Sequence, residues 1–134
     1  MQAVILAAGQ SSRFWPLNAQ HKSLIKIMGK PLICWTIEGL KKCGIKDIII
    51  VQSPRKDIEE KLKNYNLGTD IKYVVQPEPK GTGDDIWQAR DLIKGPFVAA
   101  DPRKVDISDY LLQLLKKFEK NPNGVVLLGV KTDR

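Results

Sequence analysis

Histidine occurs once and cysteine twice in the 134 residues, and no apolar run approaches the length that crosses a bilayer. Each scarcity excludes something. His21 alone supports no Ser/His/Asp or Cys/His grouping, and a lone loop histidine reads as a surface residue. Cys34 and Cys43 fall on one expected helix at a spacing of nine, which does not suit zinc. They read as reduced, half-buried thiols of an intracellular protein. Met1-Gln2 leads directly into a short strand, without a basic segment or a long apolar one. No signal peptide is expected, no membrane is expected as a partner, and the expected compartment is the cytoplasm. Glycine is sparse where a dinucleotide fingerprint would need three, since only Gly9 is present. Repeats, low-complexity tracts and linkers are missing, so a single domain is expected.

What remains is ordinary for a globular chain: 43% hydrophobic and 28% charged residues, enough for a core without staples. The net charge of +7 raises nucleic acid as a partner. The lysines are dispersed, however, and mostly fall on the polar sides of expected helices. They read as a solvated surface, nucleic acid is disfavoured, and the charge suits a polyanionic small ligand equally well.

Strand and helix signals alternate along the chain. Ala3-Val4-Ile5-Leu6 is an apolar run typical of a strand buried on both faces. Pro31 suits the first turn of a helix that places Ile33, Ile37 and Leu40 on one face and stops at Gly44. Residues 48–51 form the second expected strand. Ser53-Pro54 reads as the cap and first residue of a helix reaching about Tyr65. A third strand is expected at 71–75, a helix at 82–92 and a fourth strand at 97–100. A helix at 106–120 turns Leu111, Leu114, Leu115 and Phe118 inward, and a fifth strand is expected at 125–130. This pattern implies an α/β fold, a three-layer Rossmann-like sandwich around a mostly parallel sheet. Ligands of such sheets sit past the carboxyl ends of the strands. Segments 7–22, 76–85 and 101–104 all follow expected strands and should converge there.

Two stretches carry chemistry. The first runs Leu6-Ala7-Ala8-Gly9-Gln10-Ser11-Ser12-Arg13, then Pro16-Leu17, Lys22 and Gly29-Lys30-Pro31-Leu32-Ile33. A small-residue turn after a strand lets backbone N–H groups approach phosphate, and Arg13 and Lys22 add two positive charges. The second is Gln76-Pro77-Glu78-Pro79-Lys80-Gly81-Thr82-Gly83. Its glutamine amide can read a base edge, Gly81 allows close backbone approach, and Thr82 can cap the next helix. Asp84-Asp85 reads as favourable charge in a first helical turn, and Trp87 as core or helix packing. Asp101 closes the fourth strand.

These stretches resemble the sugar-phosphate nucleotidylyltransferases, the NDP-sugar pyrophosphorylases. Their signature reads roughly L-A-A-G-x-G-T-R-x-x-P-L-T, then P-K-P-L, then G-K-P-L-I, with Q-x-x-x-x-G-T-[AG] downstream. The resemblance covers essentially the whole chain. It departs at Ser11, where a second glycine is usual, at His21 and Ser23, which replace prolines, and at Ala100, which replaces glycine. It implies transfer of a nucleotidyl group from an NTP, with UTP or dTTP favoured, to a sugar 1-phosphate, releasing pyrophosphate. It further implies that Arg13 and Lys22 are catalytic and that Leu6, Ala8, Gly9, Gln76, Gly81 and Thr82 bind the nucleotide. Asp101 would bind Mg²⁺. On this resemblance residues 1–134 are the nucleotide-binding portion of a longer domain whose missing half carries the sugar contacts and a second metal-binding aspartate. A homo-oligomer is compatible with the reading. A non-catalytic nucleotide-binding module and a cytidylyltransferase acting on a non-sugar phosphate stay open as alternatives.

Overall fold

Apolar runs that are hydrophobic at every position need cover on both faces, and a parallel sheet between helices supplies it. The computed structural model describes residues 1–16, 19–129 and 131. Leu17 of the first motif, Val130 of the expected fifth strand and residues 132–134 lie outside the described residues. In chain order the elements are β1 (Gln2–Ala7), β2 (Lys26–Ile27), β3 (Lys30–Pro31), α1 (Leu32–Lys42), β4 (Asp47–Gln52), α2 (Asp57–Leu62), β5 (Asp70–Val75), α3 (Thr82–Ala89), β6 (Phe97–Ala100) and α4 (Ile107–Lys120). The main sheet has the order β5-β4-β1-β6 with every pair parallel, and Ile5 lies between Ile50 and Ala100 in register.

The alternation of side chains along β1 builds two cores. Ala3, Ile5 and Ala7 join Ile48 and Ile50 against Ile33, Ile37 and Leu40 of α1, Ile58 of α2 and Ile107 and Leu111 of α4. Val4 and Ala8 join Ile49 and Val51 against Ala89 of α3 on the other face. Each fully buried Ile or Leu stabilises the fold by about 1.5–3 kcal/mol relative to exposure. The three-layer α/β reading holds. Helix α1 ends as its sequence directs. The Ile45 N–H donates to the Leu40 carbonyl and the Gly44 N–H to that of Lys41, both at 3.0 Å, the paired bonds of a Schellman stop.

Several expectations do not survive. Residues 125–129 form no strand, and Val125 and Leu127 stand 84% and 82% exposed. β-Propensity is realised only by pairing, and this run has no partner strand among the described residues. The helix expected from Ser53 begins instead at Asp57. Lys56 takes a left-handed φ of 52°, and its N–H closes a turn onto the Ser53 carbonyl at 3.1 Å. That turn separates Ser53-Pro54 from α2, which stops at Leu62. Thr82 is the first residue of α3 rather than its cap, because Gly81 takes the cap position and no side chain bonds there. Trp87 is 62% exposed, with the Arg90 guanidinium stacked 4.5 Å from its ring centre. The β2–β3 hairpin, closed by Met28 and Gly29 at positive φ, was not foreseen.

Candidate functional site

The loop leaving β1 is shaped by its own small residues. Ser11 adopts a left-handed φ of 54°, is buried, and accepts the Lys22 N–H on its Oγ at 3.0 Å. Serine therefore keeps a turn that usually asks for glycine, and its hydroxyl straps the loop to the turn at 22–24. His21 caps that turn: the Ser23 N–H donates to its Nδ1 at 3.2 Å, and the Ser23 hydroxyl lies 2.7 Å from the same nitrogen. The backbone N–H of His21 donates to Asp57 Oδ2 at 2.7 Å, and the Arg55 guanidinium donates to the Ala19 carbonyl. His21 is thus buried, not a surface residue, and burial pushes its pKa down to about 4.

Gln76 follows β5 and is also buried. Its side-chain NH₂ donates to the Gly81 carbonyl at 3.2 Å and to Asp84 Oδ2 at 2.8 Å. Both partners are acceptors, so the amide orientation is fixed and Oε1 remains to accept from elsewhere. Asp84 is engaged by Gln76. Asp85 is buried, and its Oδ1 has no partner among the described residues. Burial first, then the neighbouring Asp84, pushes the Asp85 pKa up to about 6. The expectation of favourable first-turn charge is corrected for Asp85, whose charged form burial disfavours.

Asp101 follows β6. Burial opposes its ionisation, but Arg103 outweighs it and holds the carboxyl below the usual range, helped by the Lys22 charge. The Arg103 N–H and Nε donate to Oδ1 at 2.8 and 3.0 Å, and a terminal guanidinium nitrogen to Oδ2 at 2.9 Å. The turn is tied to α1 by the Thr36 hydroxyl, which donates to the Pro102 carbonyl at 2.9 Å. Among the described residues no three His, Cys, Asp or Glu side chains gather into a metal site. Asp101, occupied on both oxygens by Arg103, does not by itself fit Mg²⁺.

A cleft of about 530 Å³ opens at the carboxyl ends of β1, β4 and β5. Ala8, Gly9 and Ser12 line one side, Gln76, Pro77 and Pro79 another, and Ser53, Pro54, Arg55 and Asp57 a third, with His21 completing it. Its size is that of a small-molecule site. The segments 7–22 and 76–85 do converge, as expected. Segment 101–104 follows β6, the strand on the other side of β1, close enough for the charge of Asp101 to act on His21. Arg13 is exposed, Lys22 and Leu6 are half-buried, and Gly81 and Thr82 are exposed at the start of α3. None of these five lines the cleft. The β4–α2 loop and His21 were missed. The strand-end rule applied to β4 as well as to β1, β5 and β6 points to that loop.

Residues 2–134 match the family described as nucleotidyl transferase. A UTP–glucose-1-phosphate uridylyltransferase of Bacillus subtilis is 30% identical, aligned over 93% of this chain and 52% of its own length. A mannose-1-phosphate guanyltransferase of Debaryomyces hansenii is 30% identical over 99% of this chain and 38% of its own. A solved structure of a putative glucose-1-phosphate thymidylyltransferase from Bacillus anthracis superposes with a TM-score of 0.72 at 22% identity, covering 87% of this chain and 51% of that one. The chain therefore spans about half, or less, of the length of these proteins.

Proposed function

The chain belongs to the nucleotidyl transferase family, and on that premise we propose that it supplies the nucleotide-holding part of an enzyme that joins an NTP to a sugar 1-phosphate. The observation that carries the reading is the cleft itself. The turn after β1 and the amide after β5 face one space at the carboxyl ends of a parallel sheet. In the reaction an oxygen of the sugar phosphate attacks the α-phosphorus in line. A new P–O bond forms, the α–β bridge breaks, and pyrophosphate leaves with the electron pair. Arg13 and Lys22 neutralise the triphosphate and the departing pyrophosphate, while Ala8 and Gly9 bring backbone close to it. Leu6, Gly81 and Thr82 do not line the cleft and are kept as nucleotide neighbours on the motif resemblance alone.

Gln76 is assigned to the base. With its donors spent on Gly81 and Asp84, its Oε1 is an acceptor that a base N–H can meet, the ring N–H of uracil or thymine among them, and UTP or dTTP is kept as the proposed donor on the family resemblance. The described residues offer Mg²⁺ Asp101, already neutralised by Arg103, and Asp57 in the cleft wall, which accepts the His21 N–H, and no step is assigned to a metal held there. A cytoplasmic setting belongs to the same reading and is supported by two free cysteines, one of them fully buried.

Binding measurements test the assignment. Arg13→Ala and Lys22→Ala should each weaken UTP at least about tenfold, the order of one charge-assisted contact, and UMP much less. Equal losses for UTP and UMP would overturn the phosphate assignment.

A further inference from the structure

We propose that His21 gives the cleft a fixed, neutral hydrogen-bond donor, its Nε2–H, for a phosphate oxygen of the bound nucleotide. The inference rests on the nucleotide reading of the cleft and adds a contact to it.

The tautomer follows from Ser23. A backbone amide can only donate, and the Ser23 N–H donates to Nδ1 at 3.2 Å. Nδ1 therefore carries the lone pair, and in the neutral ring the proton sits on Nε2. Burial keeps the ring neutral near pH 7, with a pKa of about 4. The ring lines the cleft, is only 5% exposed, and makes no hydrogen bond through Nε2 among the described residues. A Cβ placed on Gly9 would meet only His21 Nε2, at 4.0 Å, so that nitrogen lies beside the backbone of the β1 loop. In the wall of an open cleft and without a protein acceptor, this N–H is available to a ligand oxygen.

Position argues for phosphate over base. His21 packs beside the β1 loop and precedes Lys22, whereas Gln76 follows β5, two strands away in the order β5-β4-β1. Two strand spacings are about 10 Å, so the two ends of the cleft contact different parts of a ligand. At the His21 end Lys22 is the next residue in the chain and Arg55 stands in the cleft wall, two cations against the one carboxylate of Asp57, a balance that suits acceptor-only oxygens. A neutral donor there adds direction to the charge of Lys22 without a further cation to desolvate.

The test combines a spectroscopic and a binding readout. ¹⁵N spectra of His21 in the free chain at pH 7 should show the Nε2–H form, and UTP or inorganic tripolyphosphate should shift Nε2 and slow exchange of its proton. His21→Asn places an oxygen where Nδ1 stood, keeping the acceptor for the Ser23 N–H, and removes the Nε2 donor. It should weaken UTP and tripolyphosphate about five- to twentyfold, one lost hydrogen bond, and leave uridine binding unchanged. His21→Gln, whose amide reaches toward the Nε2 position, should recover part of the loss. An Nδ1–H tautomer, an imidazolium at pH 7, wild-type UTP affinity in His21→Asn, or an equal loss for uridine would each overturn the proposal. If UTP binds normally to His21→Asn while Arg13→Ala and Lys22→Ala weaken it, this inference alone falls. If the wild-type chain binds neither UTP nor tripolyphosphate, the nucleotide reading falls with it.

Discussion

Asp85 stands in the first turn of α3, where a negative charge is ordinarily favourable, yet it is only 5% exposed with one oxygen unpartnered. Its pKa of about 6 lies above the ordinary 3.8. The charged form therefore costs stability above pH 6, and the cost is relieved as pH falls from 6 towards 3.8. His21 works in the opposite direction. Its pKa is lowered from 6.5 to about 4, so its contribution is complete above pH 6.5 and is lost on acidification towards pH 4. The two offset one another over nearly the same window. Asp85→Asn should raise stability at pH 7.5 by about 1–3 kcal/mol, with the gain shrinking towards zero by pH 4. Urea unfolding at both pH values checks this, and a gain that does not change with pH contradicts the burial argument. Gln76 offers a second test at this scale. Gln76→Ala should flatten the ranking of UTP, dTTP, CTP and GTP in binding, whereas an unchanged ranking with unchanged affinities removes it from base selection.

Among the elements, α1 meets the start of α4 at Gly39. A Cβ there would lie 2.6 Å from Ile107 Cγ2, nearer than such atoms come. Alanine in mid-helix is otherwise favoured over glycine by about 1 kcal/mol. Overpacking against a stiff β-branched side chain costs about 1–3 kcal/mol. The clash should win, and Gly39→Ala should destabilise the fold by about 1–2 kcal/mol. In combination with Ile107→Ala the two losses should fall short of their sum, because the second substitution removes the obstructing methyl. Strict additivity would mean that the helices part without strain. α2 illustrates the same scale differently. It is short because Lys56 breaks it from Ser53-Pro54, and the turn so formed delivers Arg55 and Asp57 to the loop at 19–21.

In the whole molecule, the sheet order β5-β4-β1-β6 makes the chain cross to the far side of β1 when it enters β6. Across that reversal the charges of Lys22 and Asp101 both act on His21. In-line transfer needs a sugar phosphate held roughly 3–3.5 Å from the α-phosphorus. Around the cleft the described residues supply cations and the carboxylates of Asp57 and Asp101, each bonded to protein donors, but no evident sugar holder. The solved proteins that this chain resembles are about twice as long. Residues 1–134 should therefore bind UTP weakly and release pyrophosphate from UTP and glucose 1-phosphate at close to background rate. Brisk turnover, followed by a coupled pyrophosphate assay, would show that these residues suffice.

The four main-sheet strands, the stops of α1 and the strand-end placement of both motifs were legible because each rests on local chemistry. Continuous apolar runs demand two covered faces, Gly44 permits a Schellman stop, and a parallel sheet gathers its loops at one end. The run at 125–129 has the composition of a strand but no neighbour to pair with among the described residues. The burial of His21 and Asp85 was settled by tertiary structure, whereas the bonds of Ser23 to His21 and of Arg103 to Asp101 are made within local turns, between residues two apart. Sequence names the ionisable groups. Their charge and free valences depend on which atoms the fold sets within 3 Å of them and on how much water it leaves.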